Sequence, residues 1–577
     1  MLSAAILTAL TTVAATACTS DNGTATTGTK RTTDKPIPVV NWALPNAPAS
    51  LDYAKSYDNN STGAVMSLVT EPLERVSSTG EFTPNLASSV AQPNTTTLVY
   101  RLRSGVKFSN GKEMTAQDVA WSIEHFTAET AQTAALGQKV GSVSVTGPLE
   151  VTVKLKAPAP TARAGIALAT LVEDADFAKA HAKTLGNAGT APIGTGPYKL
   201  ASQTAEKITL VRNPRYTRTR PPADKVVFSV IPDDTARQLA LRSGSVDGGP
   251  VTNRKSVAQW KAIPGATVYA APSLSQDFLA MDVTRAPFDD VHVRRAVAHS
   301  VDIAGIMKAG FDAYARPMTG LVPAGELAGV AGSQKSAETF LSGLPQYELS
   351  EAKAKAELAE SAHPQGFSTT IEYVKDYLWQ ELTVLNLQRN MRPLGVKITP
   401  KPVTANEWYA KFYQHGLTGI TLPFGFGASY PDPASLLGKL VGEANIGPQK
   451  INIANWTTPE VDKAQQVVTV AGPRAPRWTA AKTILTEVAD QVPYIPLFTE
   501  DEVYALGKGL AFDKSGITSF DLSNGSWIFS LKPTACPCVP AHPTRRPGLP
   551  TRAFATHPRR LVRSIGTPLP PATCETH

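Results

Sequence analysis

From about Pro36 to Pro533, strand-like apolar runs alternate with helical patterns, and neither a long low-complexity linker nor a repeat of fixed period interrupts them. A stretch that long outgrows one hydrophobic core, because cores stop growing well below that size and the chain then divides into domains. Two or three domains of mixed α and β character are therefore expected. With 42% hydrophobic and 18% charged residues among 577, the chain carries enough apolar side chain to fill such cores.

The cysteines are Cys18, Cys536, Cys538 and Cys574, so the patterned body contains no disulfide. Cys536 and Cys538 form a lone C-x-C pair without a second pair or histidines at zinc spacing, and no metal site is expected there. Cys18 lies directly after Ser3 to Ala17, a small-residue apolar run with the length of an export-signal core rather than a membrane span. Ala15-Thr16-Ala17-Cys18 resembles a bacterial lipobox. The resemblance implies a signal peptide over 1–17, lipidation at Cys18 and anchoring to the outer side of the cell membrane. An ordinary secretion signal with an incidental cysteine is the alternative. No lysine or arginine precedes the run, which points to a true start further upstream. Residues 18–35, rich in Thr, Gly and Asp, have the composition of a flexible tether.

Of the net charge of +8, the segment 534–577 supplies +5, from six arginines against Glu575. The body is thus close to neutral, and nucleic acid is not an expected partner. The same segment holds nine prolines and no hydrophobic periodicity, so it is expected to be a disordered basic tail. A membrane-binding tail or a misassigned end of the reading frame are the other readings.

Local signals place several elements. Thr97 to Phe108 alternates like a strand and Ser109-Asn110-Gly111 supplies turn residues. Thr115 and Asp118 form a capping box ahead of Val119, Ile123 and Phe126 at helical spacing. Asp290 and Ser350 can each cap a helix, and Thr458-Pro459 can start another, since proline costs little at the first helical position. Lys225 to Ile231 and Lys397 to Pro402 have the pattern of strands.

Common enzyme signatures (G-x-S-x-G, H-E-x-x-H, Walker A, G-x-G-x-x-G) are absent, and the histidines of the body lack metal-ligand spacing. No catalytic residue, metal or cofactor is expected; a hydrolase with scattered carboxylates is the rival that leaves no motif. What the chain does carry is an ordered series of segments. Ser50-Leu51-Asp52, Glu71-Pro72-Leu73 and Pro84-Asn85-Leu86-Ala87 come first, then Leu102 to Gly111 with Thr115 to Val119. Gly194-Thr195-Gly196-Pro197-Tyr198, Arg212 to Tyr216, Ala240 to Gly244 and Pro287 to Ala296 follow, and Tyr430-Pro431-Asp432-Pro433 and Pro493 to Phe498 close the series. Taken in order, this set resembles the bacterial extracellular solute-binding proteins of family 5, the dipeptide- and oligopeptide-binding group.

That resemblance implies an α/β, two-lobed periplasmic-binding-protein-like fold of class II, the large type, with an extra subdomain, mixed sheets and a hinge. Lobe 1 is expected over 36–82, 193–283 and 495–533, its extra subdomain over 83–192, and lobe 2 over 284–494. It further implies a monomeric solute-binding subunit that captures a small solute, foremost a peptide, and delivers it to an ABC permease and its ATPase without chemistry of its own. Nickel complexes, oligosaccharides and blocked or cyclic peptides are the alternative solutes. By the same resemblance, Tyr57, Asp58 and Asn59 stand where the first lobe reaches the ligand, and Phe424, Phe426, Ser429 and Tyr430 belong to the second lobe's aromatic loop. Peptide-binding relatives carry, two residues before the position of Pro431, an aspartate that pairs with the peptide's α-ammonium. Ser429 stands there instead, so the ligand is expected to lack a free amino group at this place, or Asp58 or Asp432 replaces the missing acid. Most other motif residues read as structural: Gly194 and Gly196 through unusual backbone conformation, Arg294 and Arg295 as a solvated or ion-paired helix face.

Overall fold

The computed structural model describes residues 32–56, 58, 61–133, 139–375, 377–423, 425–470, 472–513, 517–518, 521 and 525–534, all within the compact unit Met1–Ala535. Residues 1–31, which hold the expected signal peptide, Cys18 and most of the expected tether, and the second unit, Cys536–His577, lie outside the described residues.

A ten-stranded mixed sheet is organised around one long strand, Tyr494–Leu506. Its first half pairs antiparallel with Asp277–Met281 and Ala315–Pro317, and its second half with Gly248–Pro250 and Thr267–Pro272. Beyond Gly248–Pro250 comes Ile37–Leu44, parallel both to it and to Ala223–Val230, followed by Lys207–Arg212 and Tyr198–Gln203. A separate four-stranded antiparallel sheet is formed by Ala87–Asn94, Thr97–Leu102, Glu150–Leu155 and Val140–Gly147. Leu98, Tyr100 and Leu102, like Val151, Val153 and Leu155, are buried at alternate positions, as a half-buried sheet requires.

Apolar burial falls into several clusters. The largest runs from Phe278 to Phe498; a second joins Ile37 to Phe228 with Tyr504 to Leu531; a third gathers Leu73 to Val172 around the four-stranded sheet; a small fourth includes Trp260 and Val503. The long strand contributes Leu497 and Phe498 to the first cluster, and Tyr504 and Leu506 to the second.

The helix-start signals are realised, whereas the strand expected from Thr97 to Phe108 ends at Leu102. Thr115 and Asp118 form the capping box of helix Ala116–Thr127, Asp290 and Ser350 cap Val291–Ala298 and Glu351–Glu360, and Thr458 caps Pro459–Thr469. Two motif readings change. Gly194 and Gly196 do not have positive φ. Instead the chain runs hard against the end of helix Thr62–Val69, where a Cβ on Gly194 would lie 2.2 Å from the Val69 carbonyl oxygen and one on Gly196 2.5 Å from that of Leu68. Close approach, not backbone conformation, demands glycine there. Arg294 is not on a solvated face either: it is 4% exposed, and its guanidinium donates to the Gln491, Phe288 and Asp289 carbonyls, while burial pulls its pKa down to about 10. Arg295 does form the expected ion pair, with Asp490.

Candidate functional site: a cavity beside the long strand

A cavity of about 640 Å³ is bordered by residues from both sides of the long strand. Trp42, Tyr53, Arg75, Leu171, Arg254 and Trp527 are among its borders on one side; Leu274, Asp277, Trp379, Phe426 and Ser429 are among those on the other. Its size lies in the range of small-molecule sites, roughly 300–1,000 Å³. The long strand itself contributes Glu500, Asp501, Glu502 and Tyr504, of which Glu500, Glu502 and Tyr504 are alternate positions that share one face of a strand. The segment Ser273 to Asp277 contributes Ser273, Leu274, Ser275 and Asp277.

Short hydrogen bonds hold these two walls together. The Ser273 hydroxyl donates to the Glu500 carbonyl at 2.7 Å, and the Glu500 N–H donates to Ser275 Oγ at 3.2 Å. The loop carrying Phe426 is then laid against the same segment: the Gln276 N–H donates to the Phe426 carbonyl at 3.1 Å and the Ala428 N–H to that of Leu274 at 3.0 Å. Gly427 sits at this crossing, where a Cβ would come within 3.0 Å of Leu274 O. Phe426 packs edge-on against Phe278 and Phe412, and Trp42 meets Trp527 with ring centroids 4.5 Å apart.

Electrostatically the cavity is acidic. Burial pushes the Asp277 carboxyl well up, with the neighbouring Glu500 acting in the same direction. Burial also raises Glu500 and Glu502, although the Arg254 guanidinium opposes it at both. Asp501 is raised by burial too, despite its ion pair with Arg316 at 2.8 Å.

The sequence-predicted residues divide. Phe426 and Ser429 border the cavity. Tyr430 packs its ring on Phe82, 6.0 Å between centroids, and is not among the bordering residues. Asp58 accepts a hydrogen bond from the Ser61 hydroxyl. Asp432 is held in a buried ion pair with Arg477 and accepts from the Ala434 N–H. Neither of these two acids borders the cavity. Tyr57, Asn59 and Phe424 lie outside the described residues. The acids among its described borders, Glu74, Asp277, Glu500, Asp501 and Glu502, were missed. One signal could have found three of them: Glu500-Asp501-Glu502 sets consecutive charges inside an otherwise largely apolar strand.

The chain matches the bacterial extracellular solute-binding proteins, family 5 (middle), over residues 81–448. It is 23% identical over 422 residues to the glutathione-binding protein GsiB of Salmonella paratyphi A, covering 72% of this chain and 80% of that protein. Among solved structures it resembles DppA of Helicobacter pylori in complex with the peptide STSA, at 20% identity and a TM-score of 0.67 over 87% of this chain and 99% of that one. It resembles equally, at 21% identity and a TM-score of 0.67 over 86% of this chain and 99% of the other, AgaA of A. tumefaciens R10 in complex with agropinic acid. With more than half of its length matched to one family and the two-lobed fold of that family, the chain belongs to the bacterial extracellular solute-binding proteins of family 5.

Proposed function

We propose that this protein captures peptides or peptide-like solutes in the cavity beside the long strand and delivers them to an ABC permease and its ATPase. The observation that carries the reading is the cavity itself: in a member of a solute-binding family, it is bordered by residues of separate cores and crossed by the strand that joins them. Aromatic walls from Trp42, Trp527, Tyr504 and Phe426 offer rigid apolar area at small cost in rotamer entropy. Lobe 1 comprises 36–82, 193–283 and 495–533, with 83–192 as its subdomain, and 284–494 forms lobe 2; the passage between them lies within Tyr494–Leu506. Phe426 and Ser429 contact the solute, and Tyr430, behind them on Phe82, positions their loop. The protein performs no chemistry on what it binds. It is tethered outside the membrane through a lipid on Cys18. Among the described residues no helix is long and apolar enough to cross a membrane, so an anchor elsewhere in the chain fits this reading.

Mass spectrometry of solutes that copurify with the protein, followed by thermal-shift titration of those found, tests the proposal. Binding at a hundred times the dissociation constant stabilises the fold by about 2.7 kcal/mol. Peptides recovered unchanged and stabilising are the expected result; turnover of the solute overturns the binding-only reading. A non-peptide solute is the second reading, favoured by Ser429 in place of the acid found in peptide-binding relatives.

A further inference from the structure

The charges around the cavity do not balance. Of the acids bordering it, Glu74 is paired with Arg163 and Asp501 with Arg316. Asp277, Glu500 and Glu502 have no lysine, arginine or histidine nitrogen within 4.0 Å among the described residues. Among the described residues, the bases at the cavity are Arg75 and Arg254. Arg75 faces Glu71, and the Arg254 guanidinium donates to the backbone carbonyls of Asp501, Val251 and Thr252. Its field reaches Glu500 and Glu502, but those hydrogen bonds go to backbone carbonyls and not to their carboxylates.

The position of Asp277 is the sharpest sign. It is 6% exposed and borders the cavity, and the strand that pairs with its own brings another acid, Glu500, to the same cavity. Two neighbouring carboxylates oppose each other's ionisation, and a buried carboxylate without a cation is costly. The wall is therefore complementary to positive charge that the protein itself does not supply. Glu502, two residues along the same strand face, accepts from the Tyr504 hydroxyl at 2.7 Å and keeps its second oxygen for another donor. The Tyr504, Trp42 and Trp527 rings at the same cavity favour an organic cation, which gains from aromatic faces. Among the described residues, no group of three or more His, Cys, Asp or Glu is placed to hold a metal ion.

We infer that Asp277, Glu500 and Glu502 form the specificity wall of the cavity and seat an ammonium or guanidinium group of the solute, in place of the acid that Ser429 lacks. This rests on the proposed solute-binding role of the cavity and narrows it to cationic solutes.

The test is a thermal-shift and calorimetric comparison of unblocked trialanine with its N-acetylated form, together with N-acetylated tripeptide amides carrying lysine, arginine, norleucine or glutamate at one position. Free arginine, spermidine and choline are screened alongside. Peptides with a cationic group bind, and their neutral or acidic counterparts bind at least about tenfold more weakly. In the Asp277→Asn/Glu500→Gln double variant that preference disappears, while its melting temperature certifies that it is folded. Equal binding of lysine and norleucine peptides, with acetylation also without effect, overturns the inference but leaves peptide capture standing. A cation preference that survives in the folded double variant also overturns it. If no peptide binds, the peptide reading falls, and binding of arginine, spermidine or choline by the wild type but not the variant sustains the inference. Absence of binding by all of them ends it.

Discussion

The buried pair of Asp432 and Arg477 fixes the turn that follows the cavity loop. Asp432 and Arg477 are each 6% exposed. Arg477 Nη1 donates to Asp432 Oδ2 at 2.8 Å and Nη2 donates to Oδ1, while Nε and Nη2 also donate to the Val468 carbonyl at 3.2 and 2.9 Å. One guanidinium thus ties the Tyr430–Pro433 turn to the end of helix Pro459–Thr469 and to the first turn of Arg474–Gln491. Asp432→Asn keeps the acceptor for the Ala434 N–H but strands a buried cation. The cost expected for removing one partner of such a pair is about 3–5 kcal/mol. Replacing both, as Asp432→Leu with Arg477→Met, leaves no uncompensated charge, so the double variant should lose clearly less than the sum of the single variants. Urea denaturation followed by fluorescence and circular dichroism measures Asp432→Asn, the single variants Asp432→Leu and Arg477→Met and their double variant, with the cycle over the last three giving the coupling. A single-variant loss below about 1 kcal/mol, or simple additivity, would refute the argument that charge burial governs this turn. Because Ser429 lies three residues upstream, the Asp432→Asn variant should also bind the solute more weakly.

Further outcomes follow from other sites. Glu326 is fully buried and accepts from the Leu436 and Leu437 N–H groups, and burial pushes its pKa up to about 8. Its folded pKa lies above the unfolded value of 4.5, so its contribution to stability is complete below that pH and is lost as pH rises through about 8. Glu326→Gln should therefore match the wild type near pH 4.5 and melt increasingly higher than it toward pH 8.5, by an upper bound of roughly 4 kcal/mol; an unchanged difference across that range contradicts the reading. Gly196→Ala places its Cβ 2.5 Å from Leu68 O and 2.6 Å from the Val69 carbonyl carbon, and a loss of about 1–3 kcal/mol in urea denaturation is expected. Cys18→Ala should move the protein from the membrane to the soluble fraction in high salt, which removes any hold by the basic tail; retention there would dismiss the lipid anchor.

Helix starts were legible in the sequence because they are decided within one turn. The Thr115 hydroxyl meets the Asp118 N–H three residues on, and Ser350 and Thr458 act over the same distance, so no distant contact needs to be known. The ordered motifs likewise disclosed the family, and with it Phe426 and Ser429 as candidates beside the cavity. They said less about what each residue does. Gly194 and Gly196 are glycines because helix Thr62–Val69 passes against them, and Arg294 is buried because the end of Arg474–Gln491 offers it a carbonyl. Both partners lie far away in the chain. The acidic wall was hidden for the same reason. Asp277 and Glu500 belong to strands more than two hundred residues apart, brought side by side by pairing of Asp277–Met281 with Tyr494–Leu506. Whether a carboxylate is solvated, paired or buried without a cation depends on which strands become neighbours and on what water is excluded, and only the tertiary structure decides that.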